Sequence, residues 1–104
     1  MIYLKVHKSE HGSVIGMCDK ELIDSVLEEG DVTIDVKSYA SFYKGDLLNQ
    51  NQASKRLEEH LGEIYSANIV GKESVGIAMA VSLIHKDNVK RISGVPYAHA
   101  YKII

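Results

Sequence analysis

Ile2, Leu4 and Val6 alternate with Tyr3, Lys5 and His7. Such a period of two predicts a half-buried strand. Ser9-Glu10-His11-Gly12 follows as a turn, and Ser13 to Cys18 reads as a second strand. The two form a hairpin with His7 expected opposite Ser13 and Cys18 opposite Ile2. Asp19 is placed to cap a short helix carrying Leu22, Ile23, Val26 and Leu27, and Gly30 to stop it. Val32 to Val36 alternates again and predicts a third strand. Ser38 to Asn49 breaks the pattern and reads as a loop bearing Tyr39, Phe42, Tyr43 and Gly45.

The spacing of Ala53, Leu57, Leu61 and Ile64 predicts a helix from about Asn51 to Ile64. Tyr65 to Val70 reads as a strand ending at Gly71. Lys72 to Ile84 is apolar nearly all round, as in a buried helix. Val89 to Ile92 is a further strand, Ser93 to Pro96 a turn, and Tyr97 to Ile103 a last alternating strand. The sum is an α+β domain. It combines a mixed sheet with an N-terminal antiparallel hairpin or meander, a C-terminal βαβ-like unit and two to three packed helices.

Composition adds limits. The chain has 104 residues, 45% hydrophobic and 25% charged. That is the profile of one globular domain, residues 1–104, large enough to form a core without staples. No repeat or linker divides it. The formal charge of −2 excludes a strongly basic nucleic-acid binder, although Lys86, Lys90, Arg91 and Lys102 gather toward the C-terminal end. The single cysteine, Cys18, fits a reducing compartment. The N-terminus lacks a signal-peptide run, and the longest apolar stretch, Val75 to Ile84, is shorter than the ~20 residues of a membrane span. A cytoplasmic protein without membrane contact is expected.

Three places could carry chemistry, each with a purely structural alternative. Gly71-Lys72 opens a helix directly after a strand, where free amides and the helix dipole favour an anion. The alternative is a tight strand-to-helix corner. Tyr97, His99 and Tyr101 share one face of the last strand, where rings could stack unpaired bases. They could equally cover the core. Phe42, Tyr43 and Gly45 could present a recognition surface or simply pin their loop. Cys18 reads as a buried small apolar residue, since His7 lies too far along the hairpin to activate it. The five histidines lack zinc-ligand spacing. No cofactor and no metal are expected.

Three stretches resemble a known family: Phe42-Tyr-Lys-Gly-Asp46, Ala67-Asn-Ile-Val-Gly71 and Ile92-Ser-Gly-Val-Pro-Tyr-Ala-His99. Together with Val6-His7-Lys8 and Met17-Cys18-Asp19, they are similar to the archaeal domain of unknown function 424. The family's motifs would fall on Phe42, Tyr43 and Gly45, on Asn68 and Gly71, and on Gly94, Val95, Pro96 and Ala98. The resemblance implies an archaeal cytosolic protein with a link to translation or ribosome assembly, and no activity to carry over. Family members often carry His where this chain has Tyr97, and Gln where it has His99. An unperturbed tyrosine titrates near ~10, so Tyr97 is no substitute base at neutral pH.

Two functional readings follow. In the first, the protein is a non-enzymatic module for RNA or a ribonucleoprotein partner, with Lys90, Arg91 and Lys102 clustered beside Tyr97 and Tyr101. Placement of these groups on opposite sides of the structure would sink it. In the second, a metabolite binder or small enzyme holds an anion at Gly71-Lys72, with His99 as acid or base. That reading expects one pocket joining Asn68, Gly71, Gly94 and His99.

Overall fold

The structure, a computed structural model, describes residues 1–101. The last strand's predicted end at Ile103, and Lys102, lie outside them. The opening alternation forms β1 (Ile2–Ser9) and β2 (Gly12–Asp19), an antiparallel pair. Its register pairs His7 with Val14 and Tyr3 with Cys18, one residue off the expected pairing. The expected register would leave a single residue at the turn. The observed one closes Ser9 against Gly12 over a two-residue turn, with Gly12 at φ 138°.

The predicted helix after Asp19 is a correction. Lys20–Leu22 makes one 3-10 turn, and Val26–Glu29 is strand β3, paired antiparallel with β4 (Val32–Asp35). Gly30, at φ 59°, turns this small hairpin rather than ending a helix. The apolar spacing fitted a helical stripe, but Leu27 lies opposite Ile34 and both pack on the same cluster. The third strand thus belongs to a separate two-stranded sheet. The aromatic loop also contains more order than its pattern predicts. It holds α1 (Ala40–Tyr43) and β5 (Asp46–Leu48), which adds to the edge of β1.

Helix α2 (Gln50–His60) begins with a capping box. Gln52 N–H donates to Asn49 Oδ1 (2.8 Å) and Asn49 N–H to Gln52 Oε1 (2.9 Å). Its predicted last turn is instead a 3-10 turn, and Ile64 opens β6 (Ile64–Val70). Helix α3 (Lys72–Ala80) stops four residues short of Ile84 and is exposed at Gly76, Met79 and Ala80, so it is not buried all round. Ser82 ends it in a left-handed conformation, φ 63°. Leu83 N–H donates to Ala78 O and Ser82 N–H to Met79 O, the reciprocal closure of a Schellman end. Leu83 and Ile84 then turn into the core. The chain finishes with β7 (Lys90–Ile92) and β8 (Val95–Tyr101).

The large sheet runs β5-β1-β2-β6-β8-β7. β2 and β6 are parallel, while β8 is antiparallel to both β6 and β7. β6 and β7 therefore run the same way with β8 between them, so β6-α3-β7 is a split βαβ unit. Over the described residues the fold is α+β, with a mixed six-stranded sheet, a small second sheet and three α-helices. One sheet face carries Leu4, Met17, Ile69 and Ala98 against Leu57 of α2 and Val75 and Ala78 of α3. The other carries Cys18 and Val70 beneath Ile23, Val36 and Tyr43. The second face is only partly covered, and that leaves a groove. No helix among the described residues is long and apolar enough to cross a membrane.

Candidate functional site: a groove on the second sheet face

Strand alternation sets what the uncovered face presents. On β6, Asn68 shares the face of Val70; on β8, Tyr97, His99 and Tyr101 share it. Asn68 lies directly opposite His99, Val70 opposite Tyr97, and Tyr97 opposite Lys90. Tyr101 is 72% exposed. The Tyr97 and His99 rings meet edge to face at 5.7 Å.

The opposite wall comes from the small hairpin and α1. Lys37 N–H donates to Ser25 O (3.0 Å) at the hairpin's base. Near its tip, Ser93 Oγ donates to Glu28 O (2.6 Å) and Ser93 N–H to Glu29 Oε1 (2.7 Å). These bonds tie the hairpin to the β7–β8 turn. α1 is held by Lys5 Nζ, which donates to Ser41 O (2.9 Å), and by His7 Nε2, which donates to Phe42 O (2.8 Å). The His7 and Phe42 rings stack with centroids 4.7 Å apart.

Between the walls lie two adjoining hollows of about 280 and 190 Å³. The larger is lined by Asn68, His99, Asp35, Tyr39 and Phe42, among others. The smaller is lined by Lys90, Tyr97, Asn88 and Val32. They share Thr33, Ile34 and His99. Burial, and secondarily the Lys90 ammonium, hold the His99 imidazole below its ordinary value of 6.5. His99 is thus neutral at pH 7 and able both to donate and to accept. We expect the His99 titration, followed by NMR, to have its midpoint below 6.5, and Lys90→Ala to raise it. A lowered folded value also means that its stability contribution, present above 6.5, fades as pH falls toward the folded midpoint. An unchanged midpoint in the variant would refute Lys90 as a cause.

The remaining predicted residues separate. Tyr43 is buried at 6% exposure, with its hydroxyl pushed up to about 12 by that burial; it packs in the core and adds to the lining of the larger hollow rather than presenting an exposed surface. Gly45 lies against the backbone of Leu4 and Lys5, where no side chain would fit. Tyr39, 66% exposed, is the loop's accessible aromatic. Lys72, Arg91, Gly94 and Pro96 surround a different open cavity of about 460 Å³, together with Asp19 and Glu21.

Three expectations fail here. Lys90 and Arg91 are successive strand residues facing opposite ways. Lys90 faces the groove and Arg91 the other cavity, so no joint basic cluster forms beside Tyr97. Asn68 and His99 share a hollow, but Gly94 lines another and Gly71 is buried, so no single pocket joins the four. The amides that would hold an anion at the start of α3 are already occupied. Glu73 N–H donates to Asp19 Oδ2 (3.0 Å), and Ser74 N–H and Oγ both donate to Asp19 Oδ1 (2.8 Å each). Gly71, at φ 114°, lies so close to this carboxylate that a Cβ would collide with it.

Sequence reasoning missed Thr33, Asp35 and the approach of Asp19, Glu21 and Glu73, whose carboxylates come within 4.8 Å of one another. The Asp19 oxygens there are already engaged by α3. Cys18 is buried, and burial pushes its thiol up to about 12, which makes it unreactive.

Fold and groove together define an α+β domain with one helix-covered sheet face and one aromatic, partly open face. Residues 6–103 match the family described as "Protein of unknown function (DUF424)", and the chain belongs to that family. Among solved structures it is similar to the crystal structure of an uncharacterized conserved protein from Methanopyrus kandleri. The two are 21% identical with a TM-score of 0.79, over 97% of this chain and 90% of the other. That likeness shows the shared fold. Among curated proteins no significant relative is found.

Proposed function

We propose that this protein is a non-catalytic binding module for a short unpaired RNA segment, serving translation or ribosome assembly in an archaeal cytosol. The observation that carries this reading is the row Tyr97, His99 and Tyr101 on one face of β8, with His99 and Tyr101 exposed and Tyr97 half-buried against the core, flanked by Asn68 and Lys90. Every base has a π-face, so exposed rings on a rigid strand, here His99 and Tyr101, accept unpaired bases. Lys90 can meet a phosphate beside Tyr97. Arg91 faces away, so the basic cluster that this reading first required is absent; what is retained is base stacking with few phosphates neutralised, in keeping with the net charge of −2. Modest affinity with a shallow salt dependence is the physical consequence.

The test is fluorescence anisotropy with labelled single-stranded RNA at several salt concentrations. Tyr101→Ala should weaken binding ~5- to 160-fold, from the ~1–3 kcal/mol of one stacked base. The fold should be unaffected, because the ring is 72% exposed. Lys90→Ala should reduce the log–log salt slope by about 0.7, the single-strand value per phosphate. RNA affinity indifferent to both substitutions, or no RNA binding at all, would overturn the reading.

A further inference from the structure

The larger hollow contains an unusual residue for its position. β6 is an interior strand of the sheet, and its neighbours on the same face, Ser66 and Val70, are buried. Asparagine is disfavoured in strands, and a half-buried one normally finds an internal partner. The Asn68 amide makes no hydrogen bond among the described residues, nor does the His99 ring directly opposite. No side-chain polar atom there is buried without a partner, so both groups open onto the hollow. Asp35 stands across the hollow from them, on the hairpin wall. Its Oδ1 accepts from Ser38 N–H (2.9 Å), the Ser38 hydroxyl lies beside the same carboxylate, and the residue lines the hollow. Tyr39, Phe42 and Ile34 supply flat and apolar surface around these groups.

We propose that this hollow is a specificity pocket for one unpaired adenine, read by Asn68 and Asp35 and sandwiched by the aromatic wall. A carboxamide presents an acceptor and a donor side by side, the complement of adenine's N6 amino group and N7. The amino group has a second hydrogen, and the acceptor-only Asp35 rewards a base that carries it. In that same orientation uracil offers O4 and guanine O6 where Asp35 needs a donor, whereas guanine turned to its other edge can give the carboxylate its N1–H and N2 amino group. Cytosine has the amino group and an adjacent ring acceptor but less surface to stack. The order is therefore adenine, then cytosine, then uracil. At about 280 Å³ the hollow suits one heterocycle rather than a stacked run.

This pocket deepens the RNA-binding reading, but it could also be filled by a free adenosine nucleotide, and the experiment separates the two sources. Labelled oligo(A), oligo(C) and oligo(U) of equal length are titrated at one salt concentration, and adenosine monophosphate is titrated by NMR. The expected result is an oligo(A) preference over oligo(U) of roughly 5- to 100-fold, the discrimination of a good bidentate contact. Asn68→Ala should lower oligo(A) affinity more than oligo(U) affinity, so that the preference is lost. Asn68→Thr, which suits a strand, should do the same should the alanine variant fold poorly. Adenosine monophosphate shifting Asn68 and His99 without any strand binding would keep the pocket and discard the RNA reading. Equal affinity for all strands, or a preference that survives loss of the Asn68 amide, would overturn the pocket and leave the stacking face intact.

Discussion

Asp19→Asn is expected to lower the unfolding free energy by about 2–4 kcal/mol, the sum of a lost helix cap and an unsatisfied buried donor. The corresponding drop in melting temperature is roughly 10–25 °C for a domain of this size. Asp19 is 2% exposed, ends β2, and meets the first turn of α3 from 54 residues away. Both its oxygens accept: Oδ1 from Ser74 N–H and Oγ, Oδ2 from Glu73 N–H. An asparagine can satisfy Ser74 with its single oxygen, but its amide nitrogen then faces the Glu73 N–H, donor against donor. The carboxylate's favourable position at the positive end of the helix is lost as well.

Asp19 also gives this prediction a pH signature. Burial pushes its carboxyl above 3.8, against the hydrogen bonds from Glu73 and Ser74, which pull it down. Because the folded value is raised, the folded state holds its proton where the unfolded chain has released it. Stability from this group therefore declines as pH rises from 3.8 through the folded value. Asp35, Glu63 and Glu73 shift the other way, but wild type and variant share them. The stability difference between the two proteins should therefore narrow with rising pH across that window. Urea unfolding of both proteins from pH 3 to 7 reads the difference directly. A variant as stable as wild type would mean that α3 does not depend on this cap.

The sequence pattern reveals elements whose period is long and clean. β1, β2, α2, β6 and the tyrosine face of β8 were all legible because the alternation or helical stripe of each is repeated several times. Val26 and Leu27 were misread because four apolar positions over six residues fit either period. Only their pairing with Ile34 and Asp35 across Gly30 decides it. Asp19 looked like a local cap because its true partners lie beyond α2, out of reach of any short window. The separation of Lys90 from Arg91 was legible in principle, since adjacent strand residues cannot share a face. Half of the groove was visible as the row Tyr97, His99 and Tyr101, with Asn68 marked only by its motif. Thr33, Asp35 and Tyr39 were not, because they reach the sheet through the fold-back of β4 and α1.

Gly16→Ala tests whether that fold-back builds the groove. On an open strand, replacing glycine with alanine stabilises by about 0.4–1 kcal/mol, because the unfolded chain loses freedom. Here the sign should reverse. Gly16 is buried in the middle of β2, and a Cβ on it would collide with the backbone carbonyl of Phe42 and press on its ring. That carbonyl accepts from His7, whose ring also stacks on Phe42, and Lys5 holds the adjacent Ser41 carbonyl. Backbone clamped from two sides cannot yield as a flexible side-chain tip would. The expected cost is about 1–3 kcal/mol of overpacking. Because Phe42 and Tyr39 move with α1, RNA affinity should fall along with stability. Gly62→Ala is the control, since a Cβ there meets nothing within 4 Å, and its effect should stay within about 0.5 kcal/mol. Chemical denaturation and anisotropy on both variants give the answer. A stabilised Gly16→Ala protein would show that α1 does not rest on β2. A destabilised one with full affinity would place ligand binding outside the wall that α1 forms.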